Sequence, residues 1–307
     1  LQFINFRGKN EKLFGAIILG NSPGLMLSYF NPWLTGDHIS FGGELSNLHM
    51  EDVAHGYTTN FKRIHLTGGS YLGDNLRFSI TIGYEERSII WPDWESDFQQ
   101  EFASNYKYPF GSTTLEWDTR DIQLDPEEGI FTGITASYHY GSDQTAGIFE
   151  WDLWFSKWDE YFFFNDHRTV FVTMRSEMQY SDLLPIFRKK FIGGEQFVRG
   201  YSPKPSNNPE QIQQYLENDN LLYINLTVQQ SLMPKLDYGG IEFGLDWQVF
   251  IDAGSAYEEW QHLESGKWLI GYGFGVTMFL SGFGSISVNC GFNPYEPDIH
   301  LHLTDSN

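Results

Sequence analysis

One cysteine, Cys290, is present among 307 residues. A single thiol excludes an intrachain disulfide framework and a cysteine-built metal cluster. In its aromatic-rich surroundings it reads as a small packed hydrophobe rather than a nucleophile. Basic residues are scarce as well: 19 Lys and Arg stand against 40 Asp and Glu, a formal net charge of −21. Binding along a phosphate backbone needs a basic surface, so nucleic acid is excluded as a partner. The same surplus of acid argues against peripheral attachment to anionic headgroups. Apolar runs of about eighteen residues are missing, so no transmembrane helix is predicted. No leader with a basic start and an apolar stretch opens the chain, which therefore reads as a mature or trimmed sequence. Catalytic signatures are missing too. There is no G-x-S-x-G elbow and no phosphate-cradling glycine loop, and His300 and His302 share a strand face without a third ligand at a matching spacing. The chain is expected to be no enzyme and to need neither a metal nor another cofactor.

What the sequence does have is aromatic side chains, 17% of the total, and 31 glycines, a combination suited to a twisted sheet. Apolar and polar residues alternate with period two from end to end. Ile241, Phe243, Leu245, Trp247, Val249 and Ile251 interleave with Glu242, Gly244, Asp246, Gln248, Phe250 and Asp252. Val170, Val172, Met174, Met178 and Tyr180 do the same against Thr169, Thr173, Arg175, Glu177 and Gln179. A helix cannot gather such a pattern on one side; a strand can. Segments of this kind lie near 11–19, 24–31, 38–48, 61–71, 76–88, 108–118, 130–141, 146–158, 168–180, 221–232, 241–254, 267–280, 283–293 and 297–304. Many reach the roughly ten residues a tilted strand needs to cross hydrocarbon, where soluble strands average about five or six. Tight turns such as Gly20–Gly24, Gly73–Asn75 and Ser281–Gly282 alternate with longer polar stretches at 89–106 and 181–219. Aromatics recur near strand ends (Tyr29, Trp33, Trp91, Trp94, Trp117, Trp158, Tyr161, Trp268), where an interfacial girdle would place them. The reading is an all-β protein: one antiparallel transmembrane β-barrel over 1–307, of about fourteen strands, in contact with membrane lipid. A soluble sandwich or propeller would alternate with shorter strands, and no blade-length repeat occurs.

Four ordered stretches carry a resemblance. They are Phe191-Ile192-Gly193-Gly194-Glu195-Gln196-Phe197-Val198-Arg199-Gly200-Tyr201; Phe250-Ile251-Asp252-Ala253-Gly254; Trp117-Asp118-Thr119-Arg120-Asp121 followed by Pro126 and Gly129; and Phe30-Asn31-Pro32-Trp33-Leu34 followed by Ser40-Phe41-Gly42-Gly43. Together they resemble the BamA-type superfamily of Gram-negative outer-membrane β-barrels, which takes in assembly factors and two-partner secretion transporters. The first is similar to that family's paired glycines with VRG and an aromatic, the second to its F-x-D-x-G strand, the third to its D-x-R-D turn and the fourth to its N-P-aromatic turn and following strand. The resemblance implies a loop, here 181–219, folded back into the lumen with Arg199 tied to an inward acid. It also implies a role in assembling outer-membrane proteins or moving polypeptides, with unfolded polypeptides as clients. The family norm is sixteen strands behind periplasmic POTRA domains, which this sequence lacks. The chain is therefore either part of a larger protein or a short member closing with about fourteen strands. A non-gating anchor subunit of an outer-membrane complex and a passive channel are the alternatives.

Elementary electrostatics leads to the same pair of residues. A guanidinium inside a lumen needs a carboxylate partner, or it is left desolvated without compensation. Asp252 lies on the polar face of its strand together with Glu242 and Asp246 and is the partner expected for Arg199. Arg120 is expected to form a rim salt bridge with Asp118 or Asp121.

Overall fold

In the computed structural model, alternation becomes extended chain almost without interruption. The structure describes residues 2–6, 11–20, 23–35, 38–52, 56–91, 105–121, 126, 128–140, 144–159, 166–180, 184–202, 212, 216–239, 241–260, 263, 268–280, 284–295 and 299–306. The strands are β1 (Gln2–Phe6), β2 (Glu11–Ile18), β3 (Gly24–Thr35), β4 (Ile39–Glu51), β5 (Thr58–Leu72), β6 (Leu76–Ile90), β7 (Asn105–Asp118), β8 (Gly129–His139), β9 (Gln144–Asp159), β10 (Asp166–Tyr180), β11 (Lys190–Phe191), β12 (Glu217–Asn218), β13 (Asn220–Tyr238), β14 (Ile241–Tyr257), β15 (Leu269–Leu280), β16 (Gly284–Phe292) and β17 (His300–Ser306). Fifteen of them form one sheet in chain order, with β13 following β10, while β11 and β12 pair separately. Among the described strands the ladders are antiparallel. Each of the fourteen alternating segments holds a strand, and the fifteenth, β1, pairs with β2. By contacts the chain divides into two compact units, the first of Leu1–Trp117, Gly133–Ile148 and Met178–Arg188, the second of Asp118–Thr132, Phe149–Glu177 and Lys189–Asn307.

The sheet's two faces differ as the sequence pattern dictates. Ile64, Leu66, Ile80 and Ile82 are exposed on β5 and β6, and Val249, Ile251, Ile270, Phe274 and Val276 are exposed on β14 and β15. A soluble protein does not leave such a band bare; a barrel turns it to lipid. The opposite face carries buried polar groups, among them Glu85, Asn225, Thr227, Gln248, Asp252, Thr277 and Asn289.

Two prolines interrupt the pattern without ending the strands. β3 continues through Pro32 to Thr35, although the N-P-aromatic stretch reads as a turn. Proline has no N–H for the ladder, and pairing with β4 shifts between Asn31 and Thr35. The Trp33 N–H is satisfied instead by Asn31 Oδ1 at 2.9 Å. In β13, Pro234 falls in a second shift, between Met233 and Leu236.

The aromatic girdle is partly corrected. Trp33 and Trp117 are exposed, but Trp91 is buried and packs on Tyr57 with ring centroids 5.4 Å apart. Trp268 packs against the buried Leu222, Tyr257 and Leu263. Trp94, Tyr161 and the side chain of Trp158 lie outside the described residues. Gly20–Gly24 follows an even-numbered strand, so alternation of direction puts it at the same end as the 89–106 and 181–219 stretches, not with the tight turns.

Candidate functional site

Between β10 and β13 the chain stops alternating, and residues 190–201, with Ile212 and Leu216, fold onto the polar face of the second unit. Ile192 N–H donates to the Leu216 carbonyl at 2.8 Å and Val198 N–H to the Ile192 carbonyl at 3.0 Å, while Lys190–Phe191 pairs with Glu217–Asn218. Gly194 and Gly200 take positive φ, 101° and 114°, a region that favours glycine. This framework folds Ile192, Val198, Tyr201, Ile212 and Leu216 into one buried cluster with Leu221, Tyr223, Ala256 and Leu269 of the sheet. Nothing in the alternation pattern signalled that cluster.

From it, Arg199 points at Asp252. Its backbone N–H and Nε donate to Asp252 Oδ2 at 2.8 and 2.9 Å, and Nη2 donates to Oδ1 at 2.9 Å. Asn225, directly opposite Asp252 on β13, adds its Nδ2 to Oδ1. A carboxylate has about four acceptor positions, and all are used. Asp252 is wholly buried. Nη2 also reaches Thr227 Oγ1 at 3.3 Å, and Thr227 in turn donates to Asn225 Oδ1 at 3.0 Å. The guanidinium lies 3.5 Å from the centroid of Phe250. That contact accounts for an aromatic on the otherwise polar face of β14: the ring is a platform for the cation. Tyr201 OH donates to the Ile270 carbonyl at 3.2 Å, and Asn293 Nδ2 to the Gly200 carbonyl.

Glu242 and Asp246 share the polar face of β14 but are not brought to Arg199. At about 3.4 Å per residue they lie roughly 34 and 20 Å before Asp252 along the strand, beyond an arginine's reach. Asp246 accepts from Gln229 Nε2 at 2.6 Å.

The wall beneath Val198-Arg199-Gly200 is paved with glycine. A Cβ on Gly254 would come 3.0 Å from Val198 Cγ2, one on Gly271 would collide with the Arg199 carbonyl, and one on Gly291 would come 2.5 Å from the Gly200 nitrogen. Gly200 itself abuts the Phe292 carbonyl. Gly193 forms an isolated bridge to Val198. Reading the sequence alone missed Gly271, Gly291, Asn225 and Thr227; the glycine-rich inner face of β15 (Gly271, Gly273, Gly275) was the available signal.

The turn between β7 and β8 is a second ordered motif. Arg120 grips Asp118 with Nε to Oδ1 at 2.8 Å and Nη2 to Oδ2 at 2.7 Å, and its backbone N–H donates to the same Oδ1 at 3.0 Å. Asp121 instead caps the turn, its N–H donating to the Glu128 carbonyl at 3.1 Å. Gly129 has φ +125°, with Arg120 backbone atoms 2.6 and 2.8 Å from where a Cβ would stand. Pro126 is half-buried. Among the described residues no group of three or more His, Cys, Asp or Glu could hold a metal ion.

Long antiparallel strands with an apolar outer face and a buried polar inner face define an outer-membrane β-barrel. The chain matches the Omp85 superfamily domain over residues 5–299, and it belongs to that superfamily; its place is the bacterial outer membrane. Similar solved structures include BamA from Haemophilus ducreyi lacking POTRA domains 1–3 (TM-score 0.70, 14% identity, 98% of this chain and 65% of that one). CdiB from Acinetobacter baumannii (0.63, 14%, 98% and 54%) and CdiB from Escherichia coli (0.60, 17%, 99% and 56%) share the fold as well. The chain thus spans between about half and two-thirds of the length of these structures. No curated protein matches it in sequence.

Proposed function

We propose that this barrel assists the assembly of outer-membrane proteins or the passage of polypeptides across the outer membrane, with segment 181–219 as a lumen plug registered by Arg199 on Asp252. Family membership supports the general role, since Omp85 barrels are assembly and transport proteins rather than enzymes. The observation that carries the finer reading is the buried contact in which one arginine fills three of the four acceptor positions of Asp252. A solvated loop charge has no reason to sit on an aromatic platform against a carboxylate withdrawn from water. The clients are unfolded polypeptides, and further subunits of an outer-membrane complex are the natural partners of the barrel.

The test is reconstitution in lipid vesicles, with a small outer-membrane barrel polypeptide diluted from urea as client. Faster client folding than in empty vesicles, with the gain lost in Arg199→Ala, is the expected result. Folding no faster than in empty vesicles, together with steady ion conductance, would instead assign a passive channel.

A further inference from the structure

The described part of the loop meets the wall at another place, within the first unit. We infer that Ile186-Phe187-Arg188 is a second dock for the loop and that Arg188 is its positioning residue. This rests on the reading of 181–219 as a lumen plug and adds a separate holding point to it.

Local chemistry makes the dock compact. Arg188 N–H donates to the Pro185 carbonyl at 2.8 Å, closing one 3-10 turn over Ile186–Arg188. That turn sends three successive side chains to three places. Ile186 enters a buried cluster with Tyr57, Ile89 and Trp91. Phe187 lies edge-on to Tyr106, centroids 5.0 Å apart, and 4.2 Å from the guanidinium of Arg87. Arg188 Nη2 lies 2.9 Å from Tyr108 OH, 3.1 Å from His139 Nε2 and 3.5 Å from Glu85 Oε1. Gln179 Nε2 of β10 holds the Arg188 carbonyl from behind at 2.7 Å.

The acceptors are held by the sheet itself. Glu85 and Tyr108 are register partners on β6 and β7, and Tyr108 OH donates to Glu85 Oε1 at 2.8 Å. Both are buried, as is His139 on β8. Arg87 Nη2 approaches Glu85 Oε1 to 3.7 Å. Ile186 and Phe187 supply apolar contact, which is tolerant of small shifts. Arg188 supplies direction, because its donors must meet groups fixed on three separate strands. The ion pair therefore sets the position of the leading arm of the loop, and the apolar side chains supply most of the adhesion.

The run Arg188-Lys189-Lys190 is its own reporter, since trypsin cuts there only when the dock opens. The full chain in lipid vesicles is digested, with heat-modifiable gel migration reporting that the barrel is intact. Glu85→Gln leaves all three basic residues in place. The expected result is a resistant parent protein, cleavage about tenfold faster in Glu85→Gln and in Arg188→Met, and a double variant no faster than either single. Arg188→Lys, which keeps charge and donors, should fall between parent and Arg188→Met. Should Arg188→Met fail to fold, Glu85→Gln alone decides. Resistance of Glu85→Gln equal to the parent, or additive effects in the double variant, overturns the second dock and leaves the plug reading standing. Rapid cleavage of the parent itself overturns both.

Discussion

The carbonyl of Arg199 occupies the space that any side chain on Gly271 would need. The obstacle is backbone, which cannot swing aside as the tip of a long side chain can. Gly254 and Gly291 on the flanking strands are crowded by the same tripeptide. Loop and sheet therefore touch main chain to main chain, and the loop's position depends on atoms the wall omits.

Gly271→Ala is accordingly expected to cost about 1–3 kcal/mol, as overpacking does, and to loosen the loop. Gly68, with no neighbouring heavy atom within 4 Å of an added Cβ, is the matched control. Gly68→Ala should leave the urea unfolding midpoint in detergent unchanged, while Gly271→Ala lowers it.

At the Arg199–Asp252 pair, either single replacement strands a buried partner. Arg199→Met or Asp252→Leu should each destabilise by roughly 3–5 kcal/mol, and the double variant by less than the larger single effect. Equilibrium unfolding of the three variants gives the coupling. Full additivity would mean that the two side chains do not depend on one another.

Leu216 belongs to the buried cluster beneath the loop. Its truncation to alanine should cost about 2–5 kcal/mol, comparable to the ion pair, because a cavity replaces packed atoms. Faster trypsin cleavage in the 184–202 stretch, with the strands still resistant, is the expected digestion pattern.

The two faces of β6 should answer oppositely to charge. Ile82 is exposed in the apolar band, and Ile82→Lys is expected to cost about 2–4 kcal/mol in folding into vesicles. Its neighbour Thr81 faces the other way and bonds Thr67 at 2.8 Å, so Thr81→Lys loses only that contact and stays near the parent.

Strand identity was legible because lipid and lumen demand opposite side chains every second residue, as β14 shows from Ile241 to Ile251. Pro32 and Pro234 were harder. Proline signals a stop, and only the partner strand and the Asn31 side chain let pairing resume. Asp252 stood out because Arg199 lay in a recognisable motif. Glu85, Tyr108 and His139 did not, since each reads as one more polar or aromatic residue on an inward face. What joins them is Arg188, and a contact spanning 103 residues of chain leaves no local trace in the pattern. The apolar cluster under the loop was hidden for a related reason: Ile192 and Val198 stand well apart in the chain from Ile212 and Leu216, and only the folded loop brings them together.

A loop with its own buried cluster does not fray residue by residue. Ile192, Val198, Tyr201, Ile212 and Leu216 shelter one another, so uncovering one uncovers the rest. If this cluster ever leaves the wall it leaves whole, and single-molecule current recordings of this barrel would show long silence broken by rare, abrupt jumps, with no graded drift between them.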